Sequence, residues 1–220
     1  MIDMTTPPRR DHRFHFHGGD VAPDSRFVWA GFVGAPYGHL HEDGFRLRVM
    51  GGGGGYRYRS DAVPGGVNDA RLFSGEILLG FRRGIGVADI TAYLGAHAEN
   101  HRLALPDAGH RSQGTTAGFK AAIELYMRLS PDYFTALSAS ASTVHASYHA
   151  RGAVGREYPK GFAVGIEASV NGDARYSEPR GGLFARMTYR RTMFTLSGGY
   201  LSNSENGNGP YATLSVYTPY

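Results

Sequence analysis

Large apolar side chains recur at every second position along most of the chain, and no stretch keeps the 3.6-residue spacing of a helix over helical length. In residues 70–83, ARLFSGEILLGFRR, Phe73, Gly75, Ile77, Leu79 and Phe81 form one face, and Ser74, Glu76, Leu78, Gly80 and Arg82 the other. Residues 85–99 set Ala88, Ile90, Ala92, Leu94 and Ala96 against Asp89, Thr91, Tyr93, His97 and Glu99. Residues 115–128 set Phe119, Ala121, Ile123, Leu125 and Met127 against Lys120, Glu124, Tyr126 and Arg128. The alternation continues through 131–143, 147–158, 161–170, 181–190, 192–201 and 210–220. Each segment reaches about 10 residues or more, enough for a strand tilted across a bilayer.

The links between segments alternate in length. From the strand predicted over 44–59 onward they run long (SDAVPGGVND), tight (RRG), long (NHRLALPDAGHRSQ), tight (LSPD), short near Thr143–Ala146, tight (YPKG), long (NGDARYSEPR), tight (RR) and long (SNSENGNG). Outer-membrane barrels alternate long outer loops with short periplasmic turns in this way. Placing the long links outside puts the C-terminus on the periplasmic side. Strand 26–36 must then run downward, which requires one more strand before it, and FHFHGGDV (14–21) with the turn APDS supplies it. The predicted fold is all-β, an antiparallel up-and-down transmembrane β-barrel of about 12 strands, with 10 also possible. A disordered N-terminal segment, 1–13, is expected before one barrel domain, 14–220.

Composition sharpens this picture. Glycine contributes 32 of 220 residues, with 14 tyrosines, 12 phenylalanines and no cysteine. Lack of cysteine excludes a disulfide framework and a cysteine-based zinc site. No apolar run approaches the roughly 20 residues of a membrane helix. A formal charge of +4, with no basic run, gives no reason to expect nucleic acid as a partner. A soluble β-sandwich also alternates apolar and polar positions. Here the polar face is rich in Gly, Ser, Ala and Tyr broken by charges of both signs, which suits a confined lumen. Aromatic residues gather near segment ends, where interfacial girdles lie, and the chain ends on Tyr220. MIDMTTPPRRDHRFHFH has no apolar core of a secretory signal, so the true start is expected upstream of Met1.

GGDVAPDSRFVWAG, HEDGFRLRVMGGGGGYRYR, FSGEILLGF, ITAYLGAHAENH, GTTAGFKAAIELY, YHARGAVGREY and FAVGIEASVNGD together resemble the cellulose biosynthesis protein BcsS family, from about Phe14 to Tyr220. The resemblance implies an outer-membrane barrel associated with cellulose production or export. It carries no active site that transfers to these positions. The expected role is a non-enzymatic component of cellulose biosynthesis or export, with a general solute porin and a lipid hydrolase as alternatives. Outer-membrane lipid is an expected partner, and cellulose or other cellulose-synthesis components are implied ones. The sequence carries no signature of an oligomeric state.

With the apolar faces turned to lipid, the lumen is predicted to hold Arg46, Arg48, Arg82, Lys120, Arg128, Arg151 and Arg186 against Glu76, Asp89, Glu124 and Glu167. Unpaired buried ions cost several kcal/mol each in effective terms, so most of these charges are expected to form a structural network. Tyr56, Tyr58, Tyr93 and Tyr126 are candidates for stacking on sugar rings.

Catalytic signals are weaker. His145-Ala146-Ser147 has the His-x-Ser spacing found on strands of outer-membrane lipid hydrolases such as outer membrane phospholipase A and lipid A deacylase, and Glu157 has the parity to orient the histidine. A serine-rich stretch yields that spacing by chance, and no suitable asparagine lies nearby. Histidine pairs 15/17, 39/41 and 97/101 each share a strand face, but without a defined carboxylate constellation they do not make a metal site. The glycine run lacks a GK[ST] ending and a following helix, so it is no phosphate loop. No cofactor is expected. In GFRLRVMGGGGGYRYR the large residues switch from odd positions before the glycines to even positions after them, which predicts a bulge or a sharply bent strand at Gly51–Gly55.

Overall fold

The structure, a computed structural model, describes residues 11–110, 112–204 and 207–220. Twelve strands follow one another: β1 (Arg13–Ala22), β2 (Ser25–Gly34), β3 (Gly44–Arg59), β4 (Val67–Ile85), β5 (Ala88–Leu103), β6 (Gly114–Arg128), β7 (Tyr133–Ser142), β8 (Tyr148–Tyr158), β9 (Phe162–Gly172), β10 (Ser177–Tyr189), β11 (Thr192–Leu201) and β12 (Gly209–Pro219). Each pairs antiparallel with its neighbour in sequence, and β1 pairs with β12, so the sheet closes with no free edge. Closure keeps backbone hydrogen bonds inside the protein, as a lipid-embedded sheet requires.

The alternation has its physical cause in two solvents. Apolar residues line up in register on the outer surface, as in the rows Leu47–Leu79–Leu94 and Val49–Ile77–Ala96. Ile77, Leu79, Leu94, Phe119, Ile166 and Leu183 are all exposed there. A soluble protein rarely leaves such a continuous apolar band open, whereas a membrane barrel requires one. Tyr133, Tyr158, Phe162, Tyr189 and Tyr220 are exposed close to the short turns, where an interfacial girdle belongs.

One end of the barrel, the turn end, carries the tight links 86–87, 129–132, 159–161 and 190–191; the other, the loop end, carries 60–66, 104–113 and 202–208. The link expected to be long over 171–180 shrinks to 173–176, because β9 and β10 continue pairing to Gly172 and Ser177. The turn end has one exception, the nine-residue link 35–43. Most of the expected disordered segment, residues 1–10, lies outside the described residues. Within the rest of it, His12 N donates to Tyr220 O at 3.0 Å, and Arg13 opens β1.

The bulge expected at Gly51–Gly55 is absent. Pairing runs without a skipped residue from Gly44↔Arg82 to Arg59↔Val67 on one side of β3, and from Ser25↔Tyr56 to Gly34↔Leu47 on the other. Even positions face inward along the whole strand, so Arg46, Arg48, Tyr56 and Tyr58 share one face. What changes is the medium outside. β3, β4 and β5 have 16, 19 and 16 residues against 10 for β2, and they rise beyond the apolar band. There the outward face carries Arg57, Arg59, Arg71 and Arg102, all exposed. The glycines make room for rings: a Cβ on Gly52 would lie 2.8 Å from Phe27 Cε1 inside the barrel, and one on Gly53 2.9 Å from Phe73 Cδ1 outside it.

Candidate functional site in the lumen

The 35–43 link folds across the turn-end mouth, where Arg46 fixes it. Arg46 is only 2% exposed; its Nη2 donates to the carbonyls of His39 (3.2 Å), Leu40 (2.9 Å) and Glu42 (2.5 Å), and its Nη1 to that of Phe45 (2.8 Å). A planar guanidinium with five donors is well matched to such a ring of carbonyls. Ala35 N donates to His12 O (2.8 Å) and Leu40 N to Asp11 O (2.9 Å), so the link and residues 11–12 close over each other. Arg82 pairs with Asp89 and donates to His41 O at 2.9 Å, and Arg128 pairs with Glu157 at 3.2 Å.

Further along the lumen lies a balanced charge layer. Glu76 Oε1 is 2.8 Å from Arg48 Nε, its Oε2 is 2.7 Å from Lys120 Nζ, and Arg48 Nη1 is 2.6 Å from Glu124 Oε1. The Arg48 guanidinium also lies over the Tyr93 ring, 4.6 Å from its centroid. Beside this layer, Tyr126 stacks on Phe134, and the Arg186 guanidinium lies over the Phe134 ring, 4.6 Å from its centroid. Phe134 and Leu78 are fully buried.

The interior holds a cavity of about 1270 Å³ that opens at the loop end and reaches down the β10–β12 wall to Arg186 and Met193, near the 190–191 turn. Lys120, Arg151, Glu167 and Arg186 border it, whereas Arg46, Arg48, Glu76, Arg82, Asp89, Glu124 and Arg128 belong to the packed half and do not. Tyr56 and Tyr58 line the cavity; Tyr93 and Tyr126, the other sugar-stacking candidates, are committed to Arg48 and Phe134. On the opposite wall Arg180 bridges Asp20 (2.8 Å) and Glu178 (2.6 Å), and Arg151 holds Glu167 at 2.5 Å. Asp20, Glu178 and Arg180 were not singled out from the sequence, although strand parity alone puts Asp20 on the same face as Phe14 and Phe16.

The loop end also gathers imidazoles that lie far apart in sequence. His97, Glu99 and His101 are successive inward positions of β5, and His145 joins them from the β7–β8 turn. His101 Nε2 lies 3.2 Å from Glu99 Oε2, His97 Nε2 3.5 Å from Glu99 Oε1, and His145 Nε2 4.0 Å from Glu99 Oε2. Tyr56 contacts both His101 Nδ1 (2.9 Å) and His110 Nε2 (3.2 Å) through its hydroxyl.

This placement corrects the reading of His145, Ser147 and Glu157. His145 and Ser147 sit at the β7–β8 turn, outside any strand, and both border the cavity. Glu157 lies near the other end of β8, paired with Arg128. The carboxylate beside His145 is therefore Glu99. Of the histidine pairs, His15 and His17 are on the exposed face of β1, and His39 packs against His12 with ring centroids 4.4 Å apart. Only His97 and His101 face a carboxylate inside the barrel.

Fold and lumen together define a twelve-stranded barrel of the outer-membrane type. Residues 14–220 match the family model described as cellulose biosynthesis protein BcsS, and the chain belongs to that family, which places it in cellulose biosynthesis. Among solved structures, the KdgM porin in complex with disordered oligogalacturonate is similar at 8% identity and TM-score 0.54, covering 94% of this chain and 99% of its own. The TodX deltaS2S3 mutant monoaromatic hydrocarbon channel gives 8% identity and TM-score 0.59, covering 97% and 90%. LpxR from Salmonella typhimurium gives 10% identity and TM-score 0.54, covering 94% and 100%. At these identities the likeness is one of fold. No curated protein matches the chain.

Proposed function

We propose that this BcsS-family barrel is a non-enzymatic outer-membrane component of cellulose production that holds a segment of glycan at the cell surface without conducting polymer through its lumen. The observation that carries this reading is the asymmetry of the interior. A cavity of about 1270 Å³ is open at the loop end, while buried Arg46 ties the 35–43 link across the turn end. Tyr56, Tyr58, Tyr148 and Tyr211 border that cavity. Of these, Tyr56 keeps part of its ring open to the cavity as a stacking surface for a pyranose, and the ion pairs of Arg151 and Arg180 offer hydroxyl partners. A general solute porin would need a wide aqueous path; the Arg48–Glu76–Lys120 layer and the 35–43 link at the turn-end mouth stand against it. The loop-and-turn asymmetry of such barrels supports an outward opening at the loop end and an outer-membrane location.

Two measurements test the reading together. Deletion of the gene is expected to lower extracellular cellulose, and the purified barrel in planar bilayers is expected to show no sustained open-channel current. Unchanged cellulose would remove the functional assignment. Steady conductance from the native protein would replace the holding role with a transport one.

A further inference from the structure

We propose that Glu99, His101 and His145 form a binding site for one divalent transition-metal ion, zinc being the cation that suits the donors, with a coordination position left open to the loop-end cavity. One ligand atom from each residue lies within 4.8 Å of the other two. Zinc bonds of about 2.1 Å at a tetrahedral centre separate neighbouring donors by roughly 3.4 Å. The distances of 3.2 and 4.0 Å from Glu99 Oε2 to His101 Nε2 and His145 Nε2 bracket that value. Two imidazoles and one carboxylate favour zinc or a neighbouring first-row ion over magnesium or calcium, which take oxygen shells.

Three independent features indicate that these side chains are arranged for a ligand. First, His145 Nε2 is buried and has no hydrogen-bond partner, although it faces a carboxylate. A buried ring nitrogen left this way is costly unless something completes it. Second, the turn that delivers His145 is strained. His145 and Ala146 both have positive φ, 54° and 53°, and Ser147 N donates to Val144 O at 3.0 Å, the geometry of a type I′ turn built without glycine. Such strain persists where the surroundings hold it, and it concentrates at binding sites. Third, the Tyr56 hydroxyl lies 2.9 Å from His101 Nδ1. A neutral imidazole bound to metal through Nε2 carries its proton on Nδ1 and donates it outward, so Tyr56 is placed to accept it and fix the ring.

His97 adds a related point. Ser142 Oγ donates to Phe119 O at 3.1 Å, which leaves it to accept from His97 Nδ1 at 2.9 Å. In the neutral ring, Nε2 is then a bare acceptor 3.5 Å from Glu99 Oε1. Two acceptors face each other at a cluster whose only carboxylate is Glu99, and a cation beside that carboxylate relieves the conflict. The site does not depend on whether the cavity holds glycan.

The test uses the full chain, folded in detergent, stripped with a chelator and dialysed against zinc, with bound metal measured by elemental analysis. The native protein is expected to retain one zinc per chain. His145→Ala and His101→Ala each weaken binding at least tenfold, and His149→Ala, on the same cavity wall, leaves it unchanged. Trp29 fluorescence and the gel mobility of the unheated barrel report folding. Should either alanine variant fail to fold, Glu99→Gln keeps the side-chain shape and must show the same loss. Cobalt in place of zinc gives the intense visible absorption of a four-coordinate site in the native protein only. No stoichiometric zinc in the native protein, or equal retention by folded His145→Ala, overturns the proposal.

Discussion

Glu76 Oε1 lies 2.8 Å from Arg48 Nε, and the same carboxylate holds Lys120 through its second oxygen at 2.7 Å. The Glu76 side chain is 1% exposed, so it is the sealed centre of a network whose outer members, Arg48 and Glu124, keep more solvent. Removing one partner from such a network leaves a charge buried without compensation, which costs about 3–5 kcal/mol. Glu76→Met is expected to destabilise the folded barrel by that order, read from denaturant unfolding in lipid vesicles with Trp29, the sole tryptophan, as the fluorophore. The double change Glu76→Met with Lys120→Met leaves Arg48 and Glu124 paired and recovers most of the loss. A single variant within about 0.5 kcal/mol of native would show that water, not Glu76, screens these cations.

The glycine run gives a second, position-specific expectation. A Cβ on Gly54 would fall against the Arg26 carbonyl and 2.8 Å from Phe27 Cα, both backbone, so neither can yield cheaply. A Cβ on Gly55 meets only Ala70 O, at 3.5 Å. Gly54→Ala is expected to cost about 1–3 kcal/mol. Gly55→Ala is neutral or slightly stabilising, because it reduces the freedom of the unfolded chain at no steric cost. The same unfolding assay separates them, and equal effects at the two sites would contradict the close approach of the β2 backbone to Gly54.

Much of this architecture is legible in the sequence because a membrane barrel imposes a strict period of two. Parity alone puts Ile77 and Leu79 outside and Glu76 and Leu78 inside, and link lengths assign the two ends. Parity also explains the apparent switch around the glycines, once the outer medium is allowed to change from lipid to water above Gly55. Charge counting goes less far. Seven cations against four anions looks unbalanced, yet Arg46 is satisfied by backbone carbonyls, Arg186 lies on the Phe134 ring, and Arg128 reaches Glu157. None of these is a strand-parity relationship. The cluster around Glu99 was half visible: His97, Glu99 and His101 alternate on one face, and that H-x-E-x-H pattern is a local signal. The arrival of His145 from a turn more than forty residues away depends on barrel closure, which no local spacing encodes.

Asp107 offers a pH-dependent expectation outside the membrane-spanning band. Its carboxyl is held below the ordinary range, first by a hydrogen bond from the Ser60 side chain, then by Gly109 N–H and the Tyr58 hydroxyl, against an opposing push from burial. Tyr58 donates to Asp107 Oδ2 at 3.1 Å, and Asn68 Nδ2 donates to Tyr58 at 2.9 Å and to Leu105 O at 2.9 Å, so the carboxylate anchors link 104–113 to the tall β3–β4 wall. Because the folded-state pKa is depressed, this contribution is fully present above the unfolded value of about 3.9 and is lost as pH falls through the lower folded value. Pepsin cleavage in 104–113, followed across roughly pH 2.5 to 5, should therefore accelerate sharply only toward the acid end of that window. Asp107→Ala should be cleaved readily throughout it. Asp107→Asn, which cannot ionise, should lose the acid-triggered step. Identical cleavage profiles for native and Asp107→Asn protein would mean that the carboxylate does not hold the link.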